Sequence, residues 1–353
     1  MGKLSGARVV GAGAGSLDYF SPVLDLERRH DWPEYTQGIE FEPGGKADLR
    51  AADEWRFDQL RQSPSVESKV GGNMLNALAS LSIRYEVETL SVGMALGVDD
   101  IASVAIREEM HRLGIRDTSI GGPHYQPSES MILRACDERG KTLDRMVLGR
   151  PRSPLQTLVD RDYIHDTLSG ADLVVAASLK DSKVNKWVCE AAKPDAFLAW
   201  NFGSSELRDY PDELRAMLEK RPADLLSLNV QEAQQLLGVK TTMYNPLYLL
   251  KQAMPYAKAV VLTDGEAGLY AARRTKLDRA GVRFELGACS GKLLSPESIK
   301  DTLGAGDAVN GAAIAGFVME LKVQDIAEMC AEAGAEAVQH VGAHEYLFGG
   351  QSV

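Results

Sequence analysis

Short, continuous apolar runs alternate along this chain with stretches whose apolar residues recur at helical spacing. Residues 7–13, 171–178, 196–203, 224–228 and 259–263 are apolar almost throughout, and each stops at or beside a glycine, serine, asparagine or threonine. A strand with one wet face alternates polar and apolar positions, whereas a continuous run is what a strand covered on both faces requires. Between these runs, 101–113, 183–193 and 327–338 carry helical periodicity, and residues 89–92 add a further strand ahead of a glycine turn. Strands alternating with helices predict a three-layer α/β/α domain around a mostly parallel sheet, with the active site at the carboxyl ends of the strands.

Residues 20–68 depart from this pattern, being polar, rich in charged and aromatic residues, and without sustained periodicity. Residues 53–60 read as a short helix and 38–46 as a hairpin. Further on, 131–135 and 142–147 read as two strands flanking the turn Asp137-Glu138-Arg139-Gly140. A long excursion of this kind beside an α/β site is a lid candidate. No internal repeat or low-complexity linker divides the 353 residues, which suffice for a large core.

The formal net charge of −11 argues against nucleic acid or an anionic membrane as partner. No run is long and apolar enough to span a bilayer, and no signal peptide precedes the first strand. Cys136, Cys189, Cys289 and Cys330 lack metal-ligand spacing and read as reduced thiols of a cytoplasmic protein.

The chemistry concentrates at Asp301-Thr302-Leu303-Gly304-Ala305-Gly306-Asp307-Ala308, a glycine-broken turn that runs into a small-residue helical stretch. Backbone N–H groups converging at a helix N-terminus hold an anion. Asp307 adds a carboxylate beside that pocket. Donors that stabilise a moving phosphoryl group, next to an acid that takes the proton of an attacking hydroxyl, are what phosphoryl transfer needs. The motif resembles the C-terminal signature of the ribokinase-like, or PfkB-type, carbohydrate and nucleoside kinases.

Other stretches fit the resemblance in order. Gly13, with Asp18 five residues on, is similar to the family's first strand and its hydroxyl-binding aspartate. Gly71-Gly72-Asn73-Met74-Leu75-Asn76-Ala77 resembles the N-terminal signature, and is preferred over Pro43-Gly44-Gly45-Lys46-Ala47-Asp48 because Asn76 completes the pattern. Asn229 and Glu232 match the family's Asn-x-x-Glu motif. As an amide and a carboxylate three apart they suit a magnesium ion that keeps its waters, though the same pair is an ordinary helix cap. Thr263, Gly265 and Gly268 match the family's nucleotide-side loop.

The resemblance implies a ribokinase-like single domain over 1–353, with a small β lid contributed by about 20–68 and part of 115–150. It implies transfer of the γ-phosphoryl of ATP, with Mg2+, to a sugar or nucleoside hydroxyl. Asp307 would be the base; Gly304, Ala305 and Gly306 would form the anion hole. Asn229 and Glu232 would support magnesium, with Thr263, Gly265, Gly268 and Thr302 on the nucleotide side. Asp18, Gly72, Asn73 and Asn76 would hold the acceptor, and K+ could sit near Asp301. Family lids often pair across homodimers.

Two other readings are a catalytically silent relative of the same fold and an ADP-dependent sugar kinase. Gly11, Gly13 and Gly15 also invite a dinucleotide fold, but that fingerprint needs its third glycine one position later. Arg145 reads as an exposed strand arginine, 287–292 as a loop that narrowly misses a P-loop, and His344 as a surface residue.

Overall fold

The computed structural model describes residues 6–13, 15–92, 95–98, 100–121, 127–136, 145–150, 160–239, 245–275 and 283–348. The turn expected at 137–140 lies outside them. In chain order the elements that position the site begin with strands β1 (Val9–Gly13), β2 (Ser16–Asp25) and β3 (Lys46–Asp48), helix α1 (Trp55–Gln62), β4 (Glu67–Gly71) and α2 (Asn73–Ala79). There follow β5 (Thr89–Val92), β6 (Ala95–Leu96), α3 (Ile101–Arg112), β7 (Ile115–Arg116), β8 (Ile120–Gly121), β9 (Ser128–Cys136), β10 (Met146–Gly149) and α4 (Arg161–Leu168). Next come β11 (Leu173–Ala177), α5 (Ser182–Ala191), β12 (Phe197–Asn201), α6 (Ser204–Asp209), α7 (Pro211–Lys220), β13 (Ala223–Asn229), α8 (Val230–Leu237) and α9 (Pro246–Ala253). The last are β14 (Ala257–Thr263), β15 (Leu269–Arg274), β16 (Phe284–Cys289), α10 (Ala305–Val318) and α11 (Val323–Ala337).

The main sheet has nine strands in the order β16-β15-β14-β13-β12-β11-β1-β5-β7, parallel from β14 to β7 and antiparallel at the β15–β16 edge. Its central strands are buried on both faces, as their continuous apolar runs require. Leu173, Val175 and Ala177 of β11 face a core built with α2, α3, α10 and α11, while Val174 and Ala176 face a second core under α4–α9. Register aligns the carboxyl ends, with Gly13 beside Ala177, Ala177 beside Asn201, and Asn229 beside Thr263.

Small residues set how closely the helices approach. A Cβ on Gly11 would lie 2.5 Å from both Leu78 Cδ1 and Met74 Sδ, so this glycine seats α2 on β1. It serves packing, which removes the ground for a dinucleotide loop there. A Cβ on Gly311 would lie 2.5 Å from Ser80 Cβ. Glycine there lets α10 close on the end of α2, and so brings residues more than 200 positions apart into one site.

A second sheet, β3-β10-β9-β2-β4, leaves the main body at Ser16. Period-two alternation divides it: Leu17, Tyr19, Met131 and Leu133 point to a third apolar core, while Ser16 and Asp18 point the other way. Trp32, Tyr35, Phe41, Phe57 and Leu60, all from the polar excursion, complete that core. One face of the lid sheet is therefore covered, over β2 and β9, by the chain's own residues. No hairpin forms over 38–46: Gly45 N–H closes a turn on Glu42 O at 2.9 Å, and β3 pairs in parallel with β10 instead. The loop expected at 287–292 begins inside β16, where a Cβ on Gly287 would meet Val323 O at 2.5 Å.

Candidate active site

Two sequence signatures meet at Asp307. It lies in the first turn of α10, nine-tenths buried, and its Oδ2 accepts from Asn76 Nδ2 at 2.7 Å. Burial pushes this carboxyl up to about 6 against the opposing pull of the Asn76 hydrogen bond and of the Lys46 and Arg145 charges. Ahead of it, Gly304 caps the helix at φ 79°, a left-handed conformation that costs a side-chain-bearing residue about 1–2 kcal/mol. A Cβ there would also lie 2.7 Å from Ala343 Cβ. At Gly306, by contrast, a Cβ meets nothing within 4 Å.

These two glycines make a paired prediction. Gly304→Ala is expected to lower the melting temperature, because it adds backbone strain and a clash. Gly306→Ala should leave it unchanged or raise it, since alanine favours helix by up to about 1 kcal/mol. Its added methyl enters the open space at the head of the helix, so the expected loss is in turnover. Melting curves and rates on both variants check this; a loss of stability at Gly306→Ala would remove the argument.

Asp301 ties the turn to the chain's last segment, its Oδ1 accepting from Leu303 N–H at 2.9 Å and its Oδ2 from Gly342 N–H at 3.1 Å. Thr302 Oγ1 takes a hydrogen bond from Arg145 Nη1. Arg145 is thus not the exposed strand arginine expected from sequence: it projects from the start of the lid strand β10 toward the loop before α10. The N–H of Ala305 leans on Thr302 O at 3.4 Å, a long contact that leaves it only weakly engaged.

Asp18 lies on the inner face of β2, not in a turn, and accepts from Ser16 Oγ at 2.9 Å. Burial raises its carboxyl to about 6, opposed by hydrogen bonds from Ser16 and Ser130 and by the charge of Arg145. Gly71 must be glycine for Asp18 to sit there, since a Cβ would come within 2.3 Å of Asp18 Oδ2. Gly72, at φ 104°, opens α2. Asn73 turns from Asp307 toward the strand ends, donating to Ser178 Oγ at 3.0 Å and Asn201 Oδ1 at 3.3 Å. Asn201 in turn donates to Ser227 O at 3.1 Å.

Asn229 and Glu232 form a reciprocal capping box on α8: Asn229 Oδ1 accepts from Glu232 N–H at 2.8 Å, and Glu232 Oε2 from Asn229 N–H at 2.9 Å. Among the described residues the other carboxylate oxygen of Glu232 has only Ser204 Oγ, at 3.5 Å. Burial raises the Glu232 carboxyl, and Lys46 from the lid opposes that shift. Cap and metal support are compatible here, because a hydrated magnesium ion needs only an outward-facing oxygen. Among the described residues no three His, Cys, Asp or Glu side chains gather as a metal cage. Thr263 ends β14 beside Asn229, and Gly265 and Gly268 take φ 53° and 107° in the turn that leads to β15.

His344 is not the surface residue expected from its sequence context. It is buried, with Nε2 2.7 Å from Asn76 Oδ1 and Nδ1 2.9 Å from Glu109 Oε1. Lys46 was also passed over when the Gly44-Gly45 pair was set aside.

A doubly covered parallel sheet with a β lid, and a buried aspartate behind a glycine turn at a helix N-terminus, define a ribokinase-like kinase. The chain belongs to the pfkB family carbohydrate kinases, which it matches over residues 44–347, and it is a phosphotransferase acting on a hydroxyl acceptor. Curated protein sequences give no match. Among solved structures, adenosine kinase from Schistosoma mansoni in complex with 2-fluoroadenosine has a TM-score of 0.72 at 16% identity, over 95% of this chain and 96% of that one. Anopheles gambiae adenosine kinase in complex with P1,P4-di(adenosine-5) tetraphosphate has a TM-score of 0.71 at 18% identity, over 98% of both. Ribokinase from Thermotoga maritima has a TM-score of 0.63 at 14% identity, over 97% of this chain and 98% of that one. Identities this low carry the fold alone.

Proposed function

We propose that this protein transfers the terminal phosphoryl group of ATP to a hydroxyl of a sugar, nucleoside or related small molecule in the cytoplasm, with Asp307 as general base. The observation that carries the reading is the buried Asp307 carboxylate, held through one oxygen by Asn76 at the head of a glycine-opened helix. Its second oxygen is left to accept the acceptor's O–H. As the acceptor oxygen bonds to the γ-phosphorus, its proton passes to Asp307, the bond to the β,γ-bridging oxygen breaks, and ADP leaves.

Around that step, Asp18, Gly72, Asn73 and Asn76 hold the acceptor, while Thr263, Gly265, Gly268 and Thr302 line the nucleotide side. The N–H groups of Gly304, Ala305 and Gly306 face the charge that develops on the phosphoryl oxygens. Arg145 and Lys46, both felt electrostatically by Asp307, come from the lid and offset the same charge. Magnesium, supported through water by Asn229 and Glu232, would neutralise the nucleotide phosphates. A monovalent cation at Asp301 would share that carboxylate with Leu303 and Gly342, and turnover with and without potassium tests it.

The deciding experiment is a thermal-shift screen with magnesium and ATP or ADP across nucleosides, sugars and sugar phosphates, followed by product detection on each hit. A ligand at a hundred times its dissociation constant stabilises by about 2.7 kcal/mol, which is readily seen. A phosphorylated acceptor with ATP supports the reading, and product only with ADP moves it to the ADP-dependent class. Nucleotide binding without product points to a silent relative. No nucleotide binding overturns the proposal.

A further inference from the structure

Behind Asp307 and Asn76, a buried polar chain reaches Glu109, Arg112 and His344 and so crosses four separate segments. Glu109 on α3 is clamped by Arg112, which donates from Nε to Oε2 at 2.8 Å and from Nη2 to Oε1 at 2.6 Å. Glu109 Oε1 stands 2.9 Å from His344 Nδ1, His344 Nε2 stands 2.7 Å from Asn76 Oδ1, and Asn76 Nδ2 stands 2.7 Å from Asp307 Oδ2. His344 is only 3% exposed. Arg112 also lies over the Phe348 ring at 4.1 Å, which fastens the segment carrying His344 to the same helix.

An amide has one donor end and one acceptor end, so the partner at one end decides what the other end presents. An ionised Asp307 can only accept. The Asn76 NH2 must then face it, the Asn76 oxygen faces His344, and His344 must carry a hydrogen on Nε2. The flipped amide would set its oxygen against Asp307, an arrangement only a protonated Asp307 tolerates, and a protonated Asp307 is no base.

We propose that His344 is a positioning residue: anchored by Glu109, it donates to Asn76 Oδ1 and so keeps the Asn76 NH2 turned toward Asp307. This rests on the kinase reading for its effect on rate but not for its geometry. The groups facing Asp307 are Asn76 from α2, Lys46 and Arg145 from the lid, Glu232 from α8 and the more distant Tyr346 phenol. Those facing His344 are Glu109 and Asn76, with Arg112 behind. Although burial alone would raise it, hydrogen bonds from His344 and Arg112 bring the Glu109 carboxyl down to about 2, so Glu109 stays an acceptor throughout the working range.

The test uses His344→Phe, His344→Gln and Glu109→Gln in the full chain. His344→Phe keeps ring volume and removes the Nε2 donor along with the Nδ1 contact to Glu109; kcat is expected to fall about ten- to a hundredfold. Nucleotide affinity should hold, and the acid limb of kcat should move to higher pH, because the ionised Asp307 loses an oriented donor. His344→Gln restores a donor nitrogen near the Nε2 position and should recover most of the rate; Glu109→Gln should shift the limb in the same direction by less. A folded His344→Phe with the wild-type kcat and acid limb overturns the proposal, as does a glutamine variant no better than phenylalanine. If His344→Phe does not fold, Glu109→Gln decides by the same two readouts. If the wild-type protein phosphorylates nothing, the kinase reading fails, and the side-chain amide resonances of Asn76 decide the network: displaced in His344→Phe and restored in His344→Gln supports it, unmoved overturns it.

Discussion

Asp307→Asn is expected to lower turnover by about 10²- to 10⁴-fold, the range a positioned general base contributes, while nucleotide affinity stays nearly intact. The substitution keeps the shape of the side chain and still offers an oxygen to Asn76 Nδ2, so the turn before α10 has no reason to move. In the wild type the rate should rise with pH through about 6, where the buried carboxyl gives up its proton. Wild-type turnover in Asp307→Asn, with the melting curve showing a folded protein, would remove Asp307 from the chemistry.

The same variant carries a stability signature of opposite sign. In the unfolded chain the carboxyl ionises near about 4, whereas in the folded protein burial raises it to about 6. The folded state therefore holds its proton more tightly, and folding is penalised progressively as pH rises from about 4 to 6, the penalty being complete above that window. Two pH units correspond to about 3 kcal/mol. Asp307→Asn should thus melt above the wild type at pH 7 and lose that advantage below pH about 4. Slower yet more stable is the pattern of a buried charge kept for chemistry.

How much of this was legible in sequence depended on whether a local rule carried it. The strands at 171–178 and 259–263 were readable because burial on both faces demands a continuous apolar run, and the structure places β11 and β14 there. The helix after Asp307 and the one opened by Gly72 were readable because glycine turns and small-residue periodicity are local signals. Of the polar excursion, the short helix at 53–60 was readable and is α1, but the packing of Trp32, Tyr35 and Phe41 was not, since these aromatic residues sit at irregular spacing against a sheet whose partner strand lies about a hundred residues on. His344 was misread for the same reason: Glu109 lies 235 positions away and Asn76 268, so no spacing around His344 could announce them. Arg145 and Lys46 followed that course, placed over the site by the pairing of β10 with β9 and of β3 with β10.

The lid supplies the second large expected effect. Glu129, 3% exposed at the heart of the lid core, accepts from Tyr19 Oη at 2.9 Å, from Arg61 Nη2 at 2.6 and 2.8 Å, and from Arg150 Nη1. Arg150 is further tied to Glu54 Oε1 at 2.7 Å. Removing Glu129 takes the shared acceptor from Tyr19, Arg61 and Arg150 while Asp58 and Glu54 still hold the two arginines, at a cost of at most about 3–5 kcal/mol. Glu129→Ala should therefore lower the denaturation midpoint strongly, and Glu129→Gln, which keeps one acceptor oxygen, should lower it less. The consequence for function follows from strand alternation: Ser130 follows Glu129 on β9, points to the opposite face and hydrogen-bonds Asp18. Loosening the lid core should accordingly raise the acceptor's KM well before it disturbs nucleotide binding, for which the residues proposed above lie at the ends of β13 and β14 and in the turn before α10. An unchanged melting curve in Glu129→Ala would mean that the cluster is electrostatically idle. A parallel rise in both KM values would mean that the lid and the nucleotide side are mechanically one.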